Sequence, residues 1–241
     1  MEFETIRTAE RPGGIGVIVL NRPEKRNAIS IRMRREISVC LDHWRENAEV
    51  GAVIFTGAGQ SFSAGFDLEE FRQPACFADL LKSSSRYHRD VWCFPKPTIA
   101  AVNGPAMGGG FDLATFCDVR ICAESALFGH PEVKFGAPPL FTPLRWIVGG
   151  GLARELCLTG RRLDAGEAHR AGLVSEIVLD DVLWERSLEL AGTILEAPPD
   201  TLAFLKGCFT EHAGTGFEES FIIEHDRAFR EVLLKKFPGG G

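Results

Sequence analysis

The 241-residue sequence contains no apolar run near the ~20 residues that a membrane-spanning helix needs. Its first residues, MEFETIRTAE, are acidic and carry no apolar core, so they do not read as a secretory signal. Seven cysteines give an odd count, and no CxxC pair occurs among them. That pattern disfavours a disulfide framework or a zinc ribbon and predicts reduced thiols in the core. Positive charge is in deficit, with a formal net charge of -6. A dedicated nucleic-acid binder needs a concentrated positive field, so that class is disfavoured. Arg32, Arg34 and Arg35 form the one basic cluster, and it reads as a solvated helix face. These absences point to the cytoplasm, with neither a membrane nor a nucleic acid as partner.

What is present is ordinary globular composition, 45% hydrophobic and 25% charged, in an alternation of strands and helices. Gly16–Leu20 is a short β-branched run, stopped by Asn21-Arg22-Pro23. Ser30 is placed to cap a helix whose Met33, Ile37, Leu41 and Trp44 share one face. A second strand covers 50–56. The loop Gly57-Ala-Gly-Gln-Ser-Phe-Ser-Ala-Gly-Phe-Asp-Leu68 follows it. Its GxG does not extend to GxGxxG, so the dinucleotide reading is weak. Two readings stand: a loop with glycines for tight turns, or a backbone donor loop centred on residues 63–66, whose small side chains let a ligand approach the main chain. Pro74 and Pro95 bracket a helical segment with an imperfect apolar stripe.

The most informative stretch is Lys96–Gly136. A strand at Thr98–Val102 leads through Asn103-Gly104 to the triple glycine Gly108-Gly109-Gly110, which opens a short helix at Phe111–Phe116. A helix start carries unpaired N–H donors and a partial positive charge, and glycines there leave access open. The combination describes an oxyanion site. Asp112 falls in the first helical turn. It reads either as a first-turn acid, worth up to ~1 kcal/mol against the helix dipole, or as a catalytic carboxylate. Asp118 reads as a cap or turn residue. Strands at 117–122 and 126–129 lead to the corner His130-Pro131-Glu132, which sets Glu132 beside Val133 and Phe135. A carboxyl in apolar surroundings can carry a proton near neutrality. His130 reads as structural, since no third group completes a Ser/His/Asp relay. Further on, the helix Thr142–Leu158 is broken by glycines at 149–151, Asp164 and Glu167 form a capping pair, and Pro198-Pro199-Asp200 starts another helix. A last long helix runs through Phe217, Phe221 and Glu224 to Val232.

These ordered motifs resemble the crotonase superfamily, the enoyl-CoA hydratase/isomerase family. The matching pieces are Leu20–Ala28, Gly57–Leu68, Lys96–Gly136 and Leu158–Arg161, with Ala165–Ala168 and Gly172–Val174. The resemblance implies an α/β fold, a spiral of ββα repeats forming two roughly perpendicular sheets surrounded by helices. Residues 1–190 would form that core and 191–241 a helical appendage, shortened by about 20 residues relative to many members. The substrate would be an acyl thioester of coenzyme A, with its carbonyl oxygen between the N–H groups of Phe66 and Gly109. Lys25, Ala28, Ala64, Asp67 and Leu68 match positions that border the CoA moiety. Asp112 and Glu132 match the two family acids. Asp112 stands where hydratases usually carry Glu, one methylene, or about 1.5 Å, shorter.

The activity implied is reversible hydration of a 2-enoyl-CoA through an enolate. Two alternatives remain: isomerisation with Glu132 as single base, and thioester binding with little turnover. Leu140 stands where dienoyl-CoA isomerases carry a third acid, which disfavours that subclass. Leu140 and Phe141 together suggest an altered, apolar acyl pocket. No metal and no cofactor is expected beyond the coenzyme A that the substrate carries. The expected assembly is a homotrimer or a dimer of trimers.

Overall fold

The computed structural model describes residues 2–211, 217–226 and 230. The chain enters as an antiparallel pair, β1 (Ile6–Arg11) and β2 (Ile15–Leu20), in register from Ile6 opposite Leu20 to Arg11 opposite Ile15. The sequence reading misses β1, because IRTAER has no apolar pattern and buries fully only Ile6. Ser30 does cap α1 (Ile31–Glu46), its hydroxyl accepting from the Met33 N–H at 3.2 Å. β3 (Ala52–Gly57), α2 (Phe77–Trp92) and β4 (Thr98–Val102) follow. Next come β5 (Ala106–Met107), α3 (Gly109–Phe116), β6 (Val119–Ala123) and β7 (Leu127–Gly129). The chain continues with α4 (Thr142–Thr159), β8 (Arg162–Asp164), α5 (Ala165–Arg170) and β9 (Glu176–Val178). It closes with α6 (Leu183–Ile194), α7 (Pro199–Glu211) and α8 (Phe217–Phe221). Among the described residues, no helix is long and apolar enough to cross a membrane.

The strands form two sheets, both surrounded by helices. The larger has the order β1-β2-β3-β4-β6-β9 and is parallel from β2 to β9. A parallel sheet with crossover connections needs both faces covered, and side chains alternate between them. Ile18, Phe55 and Val102 accordingly enter the core that α1 and α3 share. Val17, Ile54 and Ala101 enter a second core under α6, with Leu183 and Ala191. The sequence reading leaves α6 unassigned. It crosses the expected boundary between residues 190 and 191, and its inner face packs on the main sheet.

The smaller sheet has the order β5-β7-β8. β5 and β7 run parallel, with Met107 beside Gly129, and the Gly108 N–H extends the ladder to the Gly129 carbonyl at 2.9 Å. Parallel neighbours leave the sheet at the same end. The helix that bears Asp112 and the corner that bears Glu132 therefore emerge side by side.

The glycine break in α4 falls at Gly149, with φ 77° and ψ 159°. Asp164 and Glu167 form the expected capping box. After α8 the chain makes a π turn at Ile222–Asp226. The rest of the expected last helix lies almost wholly outside the described residues.

Asp118 does more than cap. Its Oδ2 accepts from the Thr98 N–H at 2.7 Å and the Thr98 hydroxyl at 2.9 Å. Lys206 of α7, only 4% exposed, donates to both carboxylate oxygens at 2.7 and 2.8 Å. This pair bolts α7 to the β4–β6 edge of the loop. Removing one partner of a buried pair leaves an uncompensated charge, so Asp118→Ala is expected to lower stability by about 3 kcal/mol. Urea unfolding reads this as a lower midpoint at unchanged slope; an unshifted midpoint would show that the pair contributes nothing.

Candidate active site

The donor segment at residues 63–66 is held by backbone bonds on both sides. Ser63 N–H donates to the Pro105 carbonyl at 3.1 Å, and the Met107 N–H donates to the Ser63 carbonyl at 2.9 Å. Ile29 N–H donates to the Gly65 carbonyl at 2.8 Å, and the Asp67 N–H to the Ile29 carbonyl at 3.3 Å. These bonds use the neighbours of Phe66 and leave its own N–H out. Gly109 is the first residue of α3, so its N–H has no partner within the helix. Among the described residues, neither N–H makes a backbone hydrogen bond.

Two glycines make the approach of these segments sterically allowed. Gly65 has φ +95°, and a Cβ there would lie 2.7 Å from the Met107 carbonyl oxygen and 3.2 Å from the Gly109 nitrogen. A Cβ on Gly109 would lie 2.6 Å from Cδ1 of Phe66. The Phe66 ring itself is fixed. It stacks on His88 at 5.7 Å and 17°, and the Arg34 guanidinium stands 4.5 Å from its centroid. Arg34 is thus not on a solvated face. It is fully buried, with its Nε donating to the Ser83 hydroxyl at 3.0 Å and its Nη2 3.5 Å from Glu70. Burial, partly offset by Glu70, lowers its pKa from 12.5 to about 10, so it remains a cation at neutral pH.

Phe66 and Gly109 face a cavity of about 470 Å³ that Asp112 and Glu132 also line. Ala64 and Leu68 lie on its wall as well. Lys25, Ala28 and Asp67 do not. Lys25 pairs with Glu69 at 2.9 Å. Asp67 pairs with Arg22 at 2.9 Å, and Arg22 also donates to the Ala28 carbonyl at 2.7 Å. These three residues knit the rim loop together. Leu140 lines the cavity as expected, whereas Phe141 turns away, with Arg145 and Arg154 within 5.8 Å of its ring. Phe71, His88, Phe135 and His225 complete a largely aromatic wall.

Between the two acids stands His130, a residue that reads as structural in the sequence. Its Nδ1 is 2.8 Å from Oε1 of Glu132, and its Nε2 is 3.8 Å from Oδ1 of Asp112. The ring is fully buried and packs on Phe111 at 4.8 Å. Burial by itself lowers the pKa of His130, but the charges of Glu132 and Asp112 and the bond to Glu132 outweigh it, and the net shift is upward. The three side chains bring ligand-type atoms within 4.8 Å of one another, close enough for a cation. As they stand they form an acid–imidazole–acid chain. Pro131 between His130 and Glu132 was the one local signal, since it sets the corner that turns both side chains to one side.

Both the sequence and the fold are similar to those of known proteins. The family model described as enoyl-CoA hydratase/isomerase matches residues 10–232. A relative from Clostridium acetobutylicum named short-chain-enoyl-CoA hydratase is 36% identical over 93% of this chain and 88% of its own. An enoyl-CoA hydratase/isomerase structure from Xanthobacter autotrophicus Py2 aligns over 100% of this chain and 89% of that one, at 35% identity and TM-score 0.87. An enoyl-CoA hydratase structure from Bacillus anthracis aligns over 94% and 90%, at 31% identity and TM-score 0.83.

The His130 chain predicts a pH dependence of stability. Its folded pKa lies above the ordinary 6.5. The stabilisation is therefore fully present below 6.5 and is lost as pH rises through the folded value. The melting-temperature advantage of the wild type over His130→Gln should shrink as pH is raised through that window. An advantage independent of pH would show that the imidazolium is not held by the two acids.

Proposed function

Since the chain belongs to the enoyl-CoA hydratase/isomerase family, we propose that it is a lyase that reversibly hydrates a 2-enoyl-CoA. The thioester oxygen sits between the N–H groups of Phe66 and Gly109, which stabilise the negative charge of the enolate. One such donor is worth roughly 3 kcal/mol. Asp112 takes a proton from water as its oxygen bonds to the β-carbon. Glu132 delivers a proton to the α-carbon. After the step Asp112 holds the proton taken from water, Glu132 lacks the one it gave to the α-carbon, and exchange with solvent returns both to their starting states.

The observation that carries this reading is the convergence of Asp112, Glu132, Phe66 and Gly109 on one cavity wall. Isomerisation would need only Glu132. A second carboxylate on the same wall favours addition of water. The shorter side chain of Asp112 still reaches the cavity, because α3 starts one residue beyond β5 and brings its first turn close to the Glu132 corner. Coenzyme A enters as part of the substrate, and the chemistry calls for no cofactor of the protein's own. The proposed assembly is a homotrimer or dimer of trimers, supported by apolar residues left exposed on α7, Phe204 at 72% and Phe209 at 54%. The proposed location is the cytoplasm, supported by seven cysteines that are all free.

Loss of the conjugated-thioester absorbance follows turnover directly. With 2-enoyl-CoA substrates, Glu132→Gln is expected to lose at least about 100-fold in kcat. Gly109→Ala forces a Cβ into the clamped Phe66 ring and should also lose about 100-fold, with little change in fold. Full activity of Glu132→Gln would remove it as the α-proton carrier. Binding of CoA esters by the wild type without any turnover would leave a thioester-binding protein in place of a hydratase.

A further inference from the structure

One cation in the core takes no part in the chemistry above. Arg34, on α1, is fully buried, where an arginine is rare unless it is closely paired. Among the described residues its one ion pair, to Glu70, is long at 3.5 Å. Both oxygens of Glu70 already accept from the Ile31 N–H, at 2.8 and 3.0 Å. A buried charge is costly unless well paired, so the ion pair by itself does not account for the residue.

The other contacts of the guanidinium converge on Phe66. Its Nε is fixed by the Ser83 hydroxyl at 3.0 Å, and its carbon stands 4.5 Å from the centroid of the Phe66 ring. Nη1 donates to the Ile29 carbonyl at 3.4 Å. Ile29 is the parallel bridge partner of Phe66. Its N–H donates to the Gly65 carbonyl, and its carbonyl accepts from the Asp67 N–H. Ile29 therefore binds the residue on each side of Phe66. In such a pairing the N–H of Phe66 itself points to the opposite side, away from Ile29. One rigid, planar fork thus holds Phe66 twice, through its ring and through the partner that orients its backbone.

We propose that Arg34 is a positioning residue for the Phe66 donor. By pinning the ring and Ile29 together, it fixes the direction in which the Phe66 N–H meets the thioester oxygen. This rests on the thioester reading of the site. The worth of such a donor depends on its aim at the oxygen, and a misplacement of about 1 Å can cost ~100-fold in rate.

Arg34→Met removes the fork and the charge together. It leaves no orphan, since Ser83 still donates to the Leu80 carbonyl at 3.3 Å and Glu70 still accepts from Ile31. With a 2-enoyl-CoA its kcat is expected to fall about tenfold, with KM changed less than about threefold. The direct readout is infrared difference spectroscopy of bound butanoyl-CoA, isotope-labelled at the thioester carbonyl, which binds without being hydrated. The carbonyl stretch should lie lower in the wild-type complex than in water, and in Arg34→Met it should move back toward the free value. Ser83→Ala removes only the Nε partner and should move the band the same way, so it takes the place of Arg34→Met if that variant does not fold. Arg34→Lys keeps the charge but not the fork and should not restore the wild-type band. An unmoved band in Arg34→Met, whatever its rate or stability, or full restoration by Arg34→Lys, would overturn the positioning role alone. A wild-type band at the free-thioester frequency would remove the Phe66–Gly109 clamp and this inference with it.

Discussion

The site depends on the approach of two stretches of main chain, residues 63–66 and 107–110, to a distance that tolerates no side chain between them. A Cβ on Gly65 would press on the Met107 carbonyl, and one on Gly110 would lie 2.6 Å from the Ser63 carbonyl oxygen. Backbone bonds from Ser63 to Pro105 and from Met107 to Ser63 close the contact. With the two segments locked, the N–H groups of Phe66 and Gly109 make no backbone hydrogen bond among the described residues. Fixed donors need no reorganisation as charge develops, which is why such an arrangement suits enolate chemistry.

Around that clamp the protein must hold two carboxylates in one partly apolar cavity. Like charges at close range, away from water, resist ionising together. His130 offsets this by standing between them, fully buried and bonded to Glu132. Asp112 in turn is 7% exposed and sits in the first turn of α3, where the helix dipole favours a negative charge. The imidazole thus stands between the two acids, hydrogen-bonded to Glu132 and 3.8 Å from Asp112.

Phe66 links the clamp to the acyl wall. Its N–H is one of the two proposed donors, and its ring is shared by Arg34 from α1 and His88 from α2. Arg34 is held by Ser83 and Glu70, so three separate segments set the position of one ring. The same packing leaves His88 surrounded by rings, with both its nitrogens buried.

The sequence by itself determined the local elements and the residue types of the chemistry. Ser30 as a cap, the break at Gly149, the Asp164–Glu167 box and the glycine-rich start of α3 all depend on neighbours in the chain, and each formed as its residues dictate. Local glycines pointed to a donor site at the start of α3, whereas the pairing of Phe66 with Gly109 and the catalytic reading of Asp112 came from the family resemblance. The tertiary structure decided what lies between distant segments. β1 has a weak local pattern and exists as the sheet's edge partner, whereas α6 is amphipathic and its apolar side covers the sheet's second face. Arg34 lies on a helix whose charges suggest solvent, yet α2 and Glu70 close over it. Lys25, Ala28 and Asp67, which the resemblance sets beside coenzyme A, lie off the cavity wall in a loop tied by Arg22 and Glu69. His130 joins the acids, and His88 faces the acyl cavity, only because parallel β5 and β7 leave the small sheet together and α2 packs beside α3. Spacing along the chain carries no trace of those juxtapositions, since they are set by sheet order and helix packing.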